Sequence, residues 1–292
     1  MNAYAAPNVT QLDVLSRNYK QLSTYFDSKY ATVWCRMHPT PRQCFTPQLL
    51  SDLNEWFGLL GKHARRHGIR YHVLTSDDPQ AFNLGGDVEL FRQAAQAGDR
   101  ARLMEYARAC IDALYSNLTH FHQDVTTIAL VRGSALGGGF EAALSCDIII
   151  AERGARLGFP EVLFNLFPGM GAYSFLSRKI GPQQAQRIIL SGKLYDAEEL
   201  HDMGLIDVLV EPGAGEQAVY AYIKREERAS NAFRAMRKVR DYCSPVSRQE
   251  LDDIVELWVD TAMQLTERDL RMMQRLVQRQ SLLPAAAAEA VC

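Results

Sequence analysis

Ile128–Ile150 reads IALVRGSALGGGFEAALSCDIII, and Leu157–Ala172 reads LGFPEVLFNLFPGMGA. An apolar run breaks into Gly137, Gly138 and Gly139 and restarts as an Ala-rich helix with Phe140 and Glu141 at its head. A strand that becomes a helix across glycines leaves backbone N–H groups unpaired at the helix start, where partial positive charge gathers. Such a turn can hold an oxyanion. Glu161, after Pro160, is returned to the neighbourhood of Glu141 by the crossover, and two acids beside an anion site are what proton-transfer chemistry requires. The stretch predicts an α/β fold built from βα turns and places the active site on one of them.

Working outward, AFNLGGD (residues 81–87) is a second place where glycine precedes a helix. Gly85 and Gly86 allow close approach of the backbone to a ligand, and Asp87 suits the start of the following helix. Alone this is an ordinary capped turn. Paired with the first glycine run, it supplies a second peptide N–H for one carbonyl oxygen, completing an oxyanion hole. Earlier, ATVWCRMH (31–38) alternates as a strand does, PTPRQCF (39–45) interrupts it, and Thr46-Pro47 is an N-cap and N1 pair opening a helix that Gly68 ends. IRYHVLTSD (69–77) is a short buried-type strand, and a long helix runs from about Asp99 to Gln123. After Gly171 come two helices, then a helix and a strand over 194–210, and from about Gln217 the pattern is helical throughout. Strand and helix in alternation point to a parallel or mixed sheet with helical covering.

The 292 residues are 47% hydrophobic and 23% charged, with a net charge of −2, so no global charge argument favours nucleic acid or an anionic membrane. The six cysteines show neither CxxC spacing nor histidine partners, and read as buried or incidental thiols in a reducing compartment. The N-terminal residues lack the basic and apolar regions of a signal peptide, and no apolar run is long enough for a membrane span. A cytoplasmic location follows as the default. Residues 1–20 read as a mobile or strand-swapped leader, and the tail after Ser281 as frayed.

AFNLGGD, then GSALGGGFEAALSCDIIIA, then LGFPEVLFNLFPGMGA, in that order, resemble the enoyl-CoA hydratase/isomerase (crotonase) superfamily from about Tyr30 to Leu209. The resemblance implies a crotonase-like ββα spiral over residues 1–210 and a helical C-terminal region over 211–292 that serves trimerisation and pocket closure. Within the superfamily, FNLGGD, GGGFEAALSC, the run from Pro160 to Phe175 and ELWVDTAMQL look like the diffusible-signal-factor synthases, bacterial enzymes that make cis-2-unsaturated fatty acids for quorum sensing. General hydratases usually carry small residues at Asn83 and Leu84 and a different segment at PRQCFTP, a departure that favours a carrier-protein thioester over a coenzyme A thioester.

By that resemblance the N–H groups of Leu84 and Gly138, with Gly85 beside them, meet the thioester oxygen, and Glu141 and Glu161 face Cα and Cβ of the acyl chain. Which glutamate is base and which is acid stays open. Asn83, Gly86, Gly137, Phe167, Met170 and Trp258 are expected at the substrate, although core packing accounts for Phe167, Met170 and Trp258 about as well. The reaction implied is dehydration of a 3-hydroxyacyl group on acyl carrier protein, followed by thioester hydrolysis, with no cofactor and no metal. The alternatives are an ordinary enoyl-CoA hydratase or isomerase and an acyl-binding scaffold that docks to a sensor protein. Asp147 reads as a structural cap or ion-pair residue. The basic run Lys224, Arg225, Arg228, Arg234, Arg237, Lys238 and Arg240 is either a solvated helix face or a landing patch for an acidic carrier. A homo-oligomer, trimer or hexamer, is implied by the resemblance alone.

Overall fold

The structure, a computed structural model, describes residues 9–10 and 17–282. Most of the leader and the tail beyond residue 282 lie outside the described residues. The first elements are β1 (Val9–Thr10), β2 (Leu22–Asp27), β3 (Thr32–Met37), α1 (Pro47–His63), β4 (Tyr71–Ser76), β5 (Ala81–Asn83), α2 (Val88–Ala97) and α3 (Arg100–Leu118). The middle of the chain gives β6 (Thr126–Val131), β7 (Ser134–Leu136), α4 (Gly138–Leu144), β8 (Ile148–Glu152), β9 (Arg156–Gly158), a 3-10 turn over Pro160–Phe164, α5 (Ala172–Ile180) and α6 (Pro182–Ser191). The last are β10 (Leu194–Asp196), α7 (Ala197–Asp202), β11 (Val208–Val210), α8 (Gly215–Glu227), α9 (Ser230–Cys243), α10 (Arg248–Ala262) and α11 (Glu267–Leu282).

The strands form two sheets, a seven-stranded one ordered β1-β2-β3-β4-β6-β8-β11 and a four-stranded one ordered β10-β9-β7-β5. β4, β6, β8 and β11 run parallel in the first sheet, and β5, β7 and β9 run parallel in the second. Each turn of the spiral therefore lays one strand in each sheet before a helix carries the chain back. The mixed α/β expectation holds, but the second sheet was not legible. Its strands are three residues each, too short for an alternation pattern, and β2 falls between the leader and the first expected strand, where the sequence suggested no element. The helix expected to reach Gln123 stops at Leu118, because His120, Phe121 and His122 take left-handed backbone. That turn drops Phe121 into the core against Phe57 and His72.

The main core lies between the sheets and α1, α3, α4 and α5, with Trp56, Phe82, Phe140 and Phe159 nearly inaccessible. A smaller core on the outer face of the first sheet joins Trp34, Ile128 and Ile150 to Val219 and Ile223 of α8. Of the C-terminal helices, α8 joins this smaller core and α10 joins the main one through Leu251, Val255 and Val259.

Asp147, at the entry to β8, is buried; its carboxylate accepts from the Thr127 N–H at 2.9 Å and pairs with His120 and Arg240. Those partners hold it ionised well below the usual carboxylate range, against the opposing effect of burial. Replacing it with Asn should cost about 2 kcal/mol, the scale for hydrogen bonds to a charged group, read as a lower urea midpoint. Arg234 pairs with Asp124, and Arg237 with Asp124 and Glu226, so three cations of the basic run tie α9 to the body of the protein.

Candidate active site

Two glycine turns face each other across one cavity. A Cβ built on Gly85 would lie 2.9 Å from the Leu136 carbonyl oxygen and 3.4 Å from the Gly138 nitrogen, so the turns after β5 and β7 are in backbone contact. Among the described residues the Gly138 N–H, first in α4, has no acceptor.

In the facing turn the expected donor is corrected. The Leu84 N–H donates to the Gln43 carbonyl at 2.7 Å, and the Gly85 N–H to Asn83 Oδ1 at 2.8 Å. The Asp87 N–H donates to the Tyr106 hydroxyl at 3.0 Å. Gly86 is left as the N–H of that turn without an acceptor among the described residues, so the N–H groups free to meet a ligand oxygen are those of Gly86 and Gly138, and the Leu84 N–H is not among them. Leu84 and Gly85 still line the cavity. Asn83 does not; it is fully buried, and its side chain holds the turn instead of a substrate.

The two carboxylates are in different settings. Glu141, on the first turn of α4, is buried, and its Oε1 accepts from the Met170 N–H at 2.7 Å and the Ala172 N–H at 2.9 Å. Burial pushes its carboxyl up to about 7, and those two donors restrain the rise. Glu161, in the 3-10 turn, has an enclosed Oε2 with no partner. Burial and then the neighbouring Glu141 push it up to about 8. Both carboxyls are thus pushed toward their protonated forms, so near neutral pH each can give or take a proton. Gly137 is required between them, because a Cβ there would sit 2.2 Å from Glu161 Oε1.

The cavity is lined by both glycine turns and both carboxylates. From the carboxylates it runs between Val88 and Phe91 of α2, Ala107 and Cys110 of α3, and Trp258 of α10, an apolar passage suited to a hydrocarbon tail. Met170 and Trp258 line it as expected. Phe167 does not; the left-handed Asn165 turns the chain so that Leu166 faces inward, while Phe167 packs at the rim of the core. Tyr106, Phe91 and Cys110 were not singled out from sequence, where they read as ordinary helix residues. Among the described residues no group of three or more His, Cys, Asp and Glu is placed to hold a metal, and no helix is long and apolar enough to cross a membrane.

The chain belongs to the enoyl-CoA hydratase/isomerase family, whose profile matches residues 36–269. It is 34% identical over 173 residues to the peroxisomal fatty acid beta-oxidation multifunctional protein AIM1 of Arabidopsis thaliana, covering 59% of this chain and 23% of that protein. It is 28% identical over 206 residues to the probable mitochondrial enoyl-CoA hydratase 2 of the same plant, covering 70% of this chain and 64% of that one. The chain therefore spans less than two thirds of either relative. Among solved structures it is similar to Pseudomonas aeruginosa DspI, with a TM-score of 0.67 at 27% identity over 84% of this chain and 96% of that one.

Proposed function

We propose that the protein is a diffusible-signal-factor synthase: it dehydrates a 3-hydroxyacyl thioester on acyl carrier protein and hydrolyses the product to a free cis-2-unsaturated fatty acid. The observation that carries the reading is the unpartnered Glu161 carboxyl beside the anchored Glu141, both opposite free N–H groups of Gly86 and Gly138. In dehydration the carboxylate of the pair takes a proton from Cα, and the electrons flow toward a thioester oxygen held by the two N–H groups. As they return to form the Cα–Cβ double bond, the other carboxyl gives its proton to the departing β-hydroxyl, which leaves as water. The pair starts and ends with one proton, so hydration in reverse uses the same groups.

Glu141, held at Oε1 by two fixed donors, is the better placed to act on oxygen, the hydroxyl or water. Glu161, free of partners, exchanges the proton at Cα. In the hydrolytic step the pair activates a water that attacks the carbonyl carbon; the tetrahedral oxyanion sits in the same hole, and the carrier leaves as its thiol. Residues 42–45, in the segment whose sequence differs from that of general hydratases, are stitched to the glycine turn through the Arg42–Asp87 ion pair and the bond from the Phe45 N–H to the Gly85 carbonyl at 2.8 Å.

The test is incubation with 3-hydroxydodecanoyl-carrier protein and, separately, with the coenzyme A thioester. Free 2-enoic acid released faster from the carrier protein is expected. Turnover of crotonyl-CoA with the thioester intact would instead favour a plain hydratase, the reading the relatives' names support.

A further inference from the structure

Tyr106 stands on α3 under the oxyanion turn, 6% exposed, and its hydroxyl is bound on both sides. It donates to the Phe45 carbonyl at 2.6 Å and accepts from the Asp87 N–H at 3.0 Å. These two groups belong to the two segments that meet at Gly86: Phe45 forms an isolated parallel bridge with Gly86, and Asp87 follows it in sequence. The phenol thus spans the two segments on either side of the Gly86 N–H. Its ring also meets Phe91 edge-on at 5.4 Å, and Phe91 in turn abuts Gly86, where an added Cβ would come within 2.3 Å of the Phe91 ring. Burial keeps the phenol protonated far above its ordinary range, so it remains a donor at any working pH.

We propose that Tyr106 is a positioning residue for the oxyanion hole: its hydroxyl fixes the Gly86–Asp87 peptide on one side of Gly86 and, on the other, holds Phe45, whose N–H fixes the Gly85 carbonyl of the peptide that aims the Gly86 N–H at the substrate carbonyl. The inference rests on the reading of Gly86 and Gly138 as the hole. An electrostatic donor works by being aimed before the reaction, so loosening it affects the transition state more than substrate binding. Tyr106→Phe keeps the ring against Phe91 and removes only the clamp, leaving a buried carbonyl and a buried N–H without their partner.

The probe is a ketone analogue of the dodecanoyl thioester, with sulfur replaced by methylene and the carbonyl labelled with carbon-13, so that it is neither dehydrated nor hydrolysed. Infrared difference spectra of the bound carbonyl in the wild-type protein should show a shift to lower frequency. No shift there would refute the hole itself, a result separate from the role of Tyr106. With the wild-type shift in place, Tyr106→Phe should lose much of it, and kcat should fall about 10- to 100-fold with KM nearly unchanged, a partial loss of one donor. Should that variant fail to fold, a trifluorotyrosine at position 106, a weaker acceptor with nearly the same shape, should move frequency and kcat the same way by less. A full carbonyl shift with unchanged kcat in the folded variant would overturn the proposal.

Discussion

Glu161→Gln should lower turnover of a 3-hydroxyacyl thioester by about 10³-fold, within the range for losing a general acid-base, while leaving the fold at least as stable. Gln has the same shape but cannot exchange a proton, and Glu161 makes no side-chain hydrogen bond whose loss would be felt. The stability arm follows from linkage. Folded, Glu161 keeps its proton up to about pH 8 and Glu141 up to about pH 7, whereas both release it near 4.5 when unfolded. Between those limits the folded chain holds more protons than the unfolded one, so these groups make stability fall as pH rises. Below about pH 6.5 buried His72 opposes that slope, because its folded value is lowered to about 3 and unfolding there takes up a proton. Above pH 6.5 the opposition is gone. Urea midpoints for the wild type should drop between pH 6.5 and 8, and Glu161→Gln should flatten the drop. An active variant, or an unchanged slope, would count against the shared-proton pair.

Gly137→Ala should abolish activity more completely than its effect on stability explains. Gly137 has φ +51 and ψ −124, backbone in which a side chain costs on the order of 1–3 kcal/mol. Its new methyl would also lie 2.2 Å from Glu161 Oε1, so the carboxyl must swing away from the reacting carbons. Misplacement on that scale costs about 10²-fold or more in rate. Gly154→Ala is the control. Its φ is +88, nothing lies within 4 Å of the added methyl, and it is not part of the cavity lining, so strain of the same kind arises without a clash at the carboxylates. It should lose stability and keep kcat.

Glu141 and Glu161 were legible because each follows a chain break, the glycine run or Pro160, that marks a turn whatever the tertiary fold. The first-sheet strands were legible where they are long and apolar, as at Tyr71–Ser76 and Thr126–Val131. The identity of the second oxyanion donor was not. It depends on the Gln43 carbonyl reaching across to occupy the Leu84 N–H, a contact between distant parts of the chain with no local signature. Trp258 was singled out through the family resemblance and not by its local pattern; its place at the cavity is set by α10 crossing near Gly169, where an added Cβ would come within 2.4 Å of the indole. Phe167 and Leu166 differ by one position, and only the left-handed Asn165 decides which faces the cavity. The basic run read as either a solvated helix face or a landing patch, because the partners of Arg234, Arg237 and Arg240, at Asp124, Glu226 and Asp147, lie mostly far off in sequence.

The proposed dehydration requires proton exchange at Cα by the paired glutamates against the Gly86 and Gly138 N–H groups. Its most direct measurement is mass spectrometry of a 2-enoyl thioester incubated with the protein in D2O. Reversible addition of water should place one deuterium on Cα and a hydroxyl on Cβ in the wild type, with neither appearing in Glu161→Gln. Recovery of the enoyl group free of carbon-bound deuterium from the wild type, or equal labelling by the variant, would contradict the account.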